Sequence, residues 1–180
     1  MARTRRRAAL AAIGALAVVG ASPRPRATYR MHGTIHFAGA ALARDMELHA
    51  DAVVEPGAGP GDVVLHLASM GQRCRVVARC DAAGTLAFPP GQACVLDIHS
   101  PDAQGRIEVR LASGGGRLRE EDLSLSLRSE LSGAVTVGSG RPVVVLGRPV
   151  PGTGSSTIPV RGEARATAEG RRDHSRAAEQ

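Results

Sequence analysis

The sequence predicts an all-β fold: an antiparallel β-sandwich, or a closed or half-closed small β-barrel, of about eight to ten short strands. Three observations carry this. Apolar residues alternate with polar ones in segment after segment from Thr28 onward. Clusters of Gly, Pro, Asp and Ser break these segments at short intervals. No stretch after the first two dozen residues carries a convincing helical stripe.

Taken in order, Thr28–Phe37 puts Tyr29, Met31, Gly33, Ile35 and Phe37 on one face and Arg30, His32, Thr34 and His36 on the other. That is a strand with one side buried and one wet. Met46–Val54 repeats the pattern, with Met46, Leu48, Ala50 and Ala52 opposite Glu47, His49 and Asp51. Glu55–Asp62, rich in Gly and Pro, reads as a loop. Further strands are expected at Asp62–Met70, Arg73–Cys80, Thr85–Phe88, Ala93–His99, Arg106–Leu111, Leu123–Leu127, Ala134–Val137, Val143–Leu146 and Thr157–Arg161. Gly114-Gly115-Gly116 and Gly138-Ser139-Gly140 fall among the separators. Residues 28–162 form one domain. Residues 163–180 carry no large apolar side chain and are expected to be a flexible C-terminal tail.

The first 21 residues have the form of a secretory signal peptide. Arg3, Arg5, Arg6 and Arg7 precede an apolar run from Ala8 to Val19, which is too short to span a bilayer as a helix. Cleavage is expected after Ala21, with Ala27 as the alternative, and the basic leader suits either the general or the twin-arginine export route. The expected destination is periplasmic or secreted. No cysteine lies near the cleavage site to take a lipid anchor, and no stable transmembrane segment would remain after cleavage.

Composition narrows the function classes. The chain has 180 residues, a formal net charge of +6 and a pI near 10.7. All 23 basic side chains are arginine, and many lie in the flanks. Between Thr28 and Glu169 there are 14 arginines and 15 acids, so the body is close to neutral. With three aromatic residues, Tyr29, Phe37 and Phe88, it lacks both the basic face and the stacking platform of a nucleic-acid binder. No nucleic-acid partner is expected.

Three cysteines in an exported chain imply one disulfide and one leftover thiol, or an intermolecular bond. Cys74 and Cys80 lie too far apart along one strand to pair. If Asp81–Gly84 is a turn, the extra residues at Pro89-Pro90-Gly91 bring Cys94 into register with Cys74. Cys74–Cys94 is the expected bridge, with Cys80–Cys94 as the alternative. Cys80 would then be a small buried side chain.

Candidate chemistry is sparse. With Phe37 opposite Met46, the first hairpin gathers His32, His36, His49 and Asp51, together with Glu47, on one polar face, where they could hold zinc or copper. Glu120-Glu121-Asp122 lacks the spacing of a calcium loop. The Gly-rich strings match neither a phosphate loop nor a dinucleotide fingerprint, and no Gly-x-Ser-x-Gly elbow occurs. No catalytic residues and no cofactor are assigned, and no motif places the chain in a family.

The expectation is therefore an exported, non-enzymatic β domain that binds a small apolar ligand in a barrel or core cavity. Tyr29, Met31, Ile35, Phe37, Leu48, Leu65 and Val109 are its candidate lining residues. Two alternatives stand beside it. One is an interaction or structural module that meets an envelope protein through an edge strand; the other is a small metal-dependent enzyme built on the first hairpin.

Overall fold

The computed structural model describes residues 26–39, 42–101, 103–138, 143–145, 148–150 and 156–175. The expected leader lies outside them. Among the described residues eleven strands follow in order: β1 (Ala27–Gly39), β2 (Leu42–Pro56), β3 (Asp62–Ser69), β4 (Gln72–Cys80), β5 (Thr85–Ala87), β6 (Ala93–Ser100), β7 (Ala103–Leu118), β8 (Asp122–Val137), β9 (Val143–Val145), β10 (Arg148–Val150) and β11 (Ser156–Arg172).

The main sheet is antiparallel and runs β5-β4-β3-β2-β1-β11-β8-β7-β6, with an extra pairing of β5 to β7 that closes it on itself. The barrel alternative of the sequence reading is the one adopted. Sequence neighbours pair at nearly every step, and the N-terminal β1 meets the C-terminal β11 to complete the ring. β5 and β6 share one lane. β5 pairs with both β4 and β7, while β6 pairs with β7 along its whole length. Eight lanes make a barrel whose interior is just wide enough to be filled by side chains or to hold one small molecule.

Several strands are long rather than short. β7 and β8 have 16 residues each and β11 has 17. Gly114-Gly115-Gly116, expected as a separator, lies inside β7, paired to both β5 and β8. A register shift between Leu111 and Ser113 lets Ile107 and Leu111 before it, and Leu118 after it, all be buried. Residues 163–172, expected in a flexible tail, are the second half of β11, flanked by β1 on one side and β8 on the other. Their small side chains offer little apolar signal, yet a strand between two neighbours is held by its backbone ladders. Glycine serves close approach at Gly33, where a Cβ would collide with the Thr167 carbonyl of β11.

One end of the barrel is tightly closed. The Tyr29 hydroxyl donates to the carbonyls of Arg119 (3.1 Å) and Glu120 (3.3 Å) in the β7–β8 turn. The Leu118 N–H donates to the Gly84 carbonyl, and Arg30 pairs with Asp173 at 2.7 Å. Tyr29, Leu65, Leu86, Phe88, Leu118 and Leu123 fill this end. A second cluster, including Phe37, Ile107, Leu131, Val135 and Val160, packs toward the other end. There the β3–β4 hairpin stops short at Met70-Gly71. β2 pairs with β3 only from Asp51 to Pro56, so among the described strands its first half has β1 alone beside it.

Candidate ligand cavity

Between the two clusters lies a cavity of about 260 Å3 with an almost wholly apolar lining. Its wall draws on all eight lanes, including Met31, Leu48, Leu67, Val76, Leu96, Val109, Leu127 and Ala166. The space exists because several inward side chains are small. β11 contributes only Ala164, Ala166 and Ala168, and β4 and β6 contribute Cys74 and Cys94. A Leu or Phe at any of these would extend into the interior.

The cavity reaches solvent at the β3–β4 turn, where Ser69, Met70, Gln72 and Arg73 line it and Met70 is 75% exposed. Met70 (φ 48°) and Gly71 (φ 77°) both hold left-handed backbone, as a tight two-residue hairpin turn requires. Glycine takes that conformation freely, whereas methionine is unusual there. An exposed, flexible, apolar side chain thus stands at the cavity mouth in a turn position that favours Asn or Gly.

The wall between β4 and β6 is joined by side chains. The Cys74–Cys94 disulfide spans Cα atoms 5.5 Å apart. On one side of it, the Gln92 amide donates to the Val77 carbonyl (2.8 Å) and accepts from the Val77 N–H (2.6 Å). On the other, the Gln72 amide donates to the Asp97 carbonyl (2.8 Å) and accepts from the Asp97 N–H (3.2 Å). Each glutamine makes the pair of bonds that a strand residue would make. The expected bridge is the one formed, and Cys80 lies outside it, half-buried and packed against the core.

Of the expected lining residues, Met31, Ile35, Phe37, Leu48 and Val109 border the cavity. Tyr29 and Leu65 do not; they are buried at the closed end, 2% and 0% exposed. The first hairpin differs from expectation by two residues. Phe37 lies opposite Arg44 instead of Met46, so His32 faces His49, His36 faces Asp45 and Asp51 faces Arg30. A two-residue slip keeps every side chain on its face, so the alternating pattern does not detect it. His36 pairs with Asp45 (2.6 Å) and His49 with Glu47 (3.7 Å), both in solvent. Among the described residues no three metal-ligating side chains come together. The structure does not bring His32, His36, His49 and Asp51 together as one set of ligands.

Comparison with protein-family models, curated proteins and solved structures returned no match to this chain. The residues that reading the sequence missed are those of the wall: Gln72, Gln92, Ser129 and the alanines of β11. Their signal was weak but present. Ser129 falls in an inward register, Leu123-x-Leu125-x-Leu127-x-Ser129-x-Leu131, and Ala164, Ala166 and Ala168 alternate with period two.

Proposed function

We propose that this chain is an exported, non-enzymatic barrel that encloses a small apolar ligand. The observation that carries this reading is the 260 Å3 apolar cavity, lined from every lane of the barrel and open beside Met70. Ligand pockets are typically concave, apolar and largely preformed. At about 30 Å3 for each water-sized group, this one suits a molecule, or the buried part of one, of about nine non-hydrogen atoms. The disulfide fits an oxidising compartment, in keeping with an exported chain.

Edge pairing with an envelope protein has less support. The half-open edge of β2 carries Arg44, Asp45, Glu47 and His49, and charged residues discourage strand addition.

Native mass spectrometry of the protein purified from the compartment that holds it tests the proposal. The expected result is an added mass that disappears on denaturation and is absent from Ala166→Leu, which fills the cavity. A bare-chain mass that also fails to gain a small apolar probe would overturn it.

A further inference from the structure

We infer that the ligand is a neutral molecule carrying one hydrogen-bonding oxygen, and that Ser129 is the residue that binds this oxygen. The inference rests on the cavity reading above and adds the chemical class of the occupant.

Ser129 interrupts the leucine face of β8 at a cavity-lining position. It is 9% exposed, a buried hydroxyl-bearing residue in the cavity wall. The other uncharged polar side chains in the lining are already engaged. The Ser69 hydroxyl donates to the His49 carbonyl (2.7 Å), and Gln72 and Gln92 bridge to β6 and β4. Ser129 makes no side-chain hydrogen bond among the described residues. No fully sealed side-chain oxygen or nitrogen among them lacks a partner, so the Ser129 hydroxyl keeps open surface. Its inward register directs that surface to the cavity.

The neighbourhood leaves the hydroxyl reachable. Across β11 its partner is Ala164, and across β7 it is Leu111, where the strand register shifts. Bulges of this kind often sit beside functional positions, where they re-aim side chains. A purely hydrocarbon occupant would leave the hydroxyl unsatisfied, so a leucine or alanine there would serve it better. A hydroxyl both donates and accepts, and so it matches a ketone, ester or alcohol oxygen equally well.

An ionised head group does not fit inside. Arg73 is the one charged residue in the lining; it is exposed and occupies the outward register of β4, out of phase with Cys74, Val76 and Ala78. A carboxylate among the leucines would lose its hydration without gaining a partner.

The test uses three probes of similar length, octan-4-one, n-octane and octanoate, on the wild type, Ser129→Ala and Ser129→Thr. Ser129→Ala is expected to weaken octan-4-one binding by roughly five- to tenfold and leave n-octane unchanged. Ser129→Thr, which keeps the hydroxyl, should retain the ketone preference, and octanoate should bind at least about tenfold more weakly than the ketone. An unchanged ketone-to-octane ratio in Ser129→Ala, or octanoate as the tightest probe, would overturn the assignment while leaving the cavity reading intact. Failure of every probe to bind any of the three proteins would remove both.

Discussion

The side-chain amide of Gln92 hydrogen-bonds both backbone groups of Val77, 15 residues earlier in the chain. Gln92 sits in the interruption between β5 and β6, where Pro89-Pro90-Gly91 carries the chain out of the ladder to β4. A side chain long enough to return supplies the missing pair. Gln72 does the same for Asp97, and the disulfide lies between them. The barrel wall is thus continuous beside the cavity although its backbone ladder is not.

Replacing Gln92 with alanine leaves a half-buried N–H and carbonyl at Val77 without partners. An unmade pair of this kind costs about 1–3 kcal/mol. Denaturant unfolding of Gln92→Ala should show a loss in that range, with faster hydrogen exchange at the Val77 amide. Wild-type stability and exchange would mean that the amide bridge contributes nothing.

Reduction of Cys74–Cys94 acts on the same seam. The bridge closes a loop with a sequence separation of 20, and closing a loop of that size typically contributes about 2–4 kcal/mol. Cys74→Ser/Cys94→Ser should lose roughly that much, whereas Cys80→Ser should keep the disulfide and most of the stability. A stable double variant, or a scrambled bridge in Cys80→Ser, would contradict the assignment of roles.

Acid should loosen the barrel through three carboxylates. A bidentate contact from Arg128 holds Glu163 below its ordinary value of 4.5. Asp81 is held below 3.8 chiefly by the Thr85 N–H, and Asp173 chiefly by the Ser175 hydroxyl. Each is more acidic folded than unfolded, so its contribution is complete above the ordinary value and is lost as pH falls through the lower folded one. The melting temperature should be flat from neutrality to about pH 5 and decline below about pH 4. Glu163→Gln should start lower and decline less. An acid decline identical to wild type would show that the Arg128–Glu163 pair plays no part.

Much of this architecture is legible in the sequence because a strand with one buried face writes a period of two into its residues. That period marks Tyr29–Phe37 and Arg106–Leu111, and the extra residues at Pro89-Pro90-Gly91 bring Cys94 opposite Cys74. The pattern fails where inward residues are small. β11 turns Ala164, Ala166 and Ala168 to the interior and so resembles a tail, although it is flanked by strands on both sides. β7 runs through three glycines that a turn would also use. The cavity is hard to see for the same reason: it is made of absent volume. Ser129 falls in the leucine period of β8, but the period alone does not tell an inward hydroxyl from a break in the pattern.

Isothermal titration of the wild type and Ala166→Leu with octan-4-one, over a range of temperatures, tests the central claim most directly. Burial of apolar surface in an internal cavity gives a negative heat-capacity change. The wild type should bind one equivalent with that signature. Ala166→Leu should show no binding while keeping the wild-type melting temperature or exceeding it. Equal binding by both proteins would place the probe outside the barrel, and no binding by either would mean that the interior is simply a core.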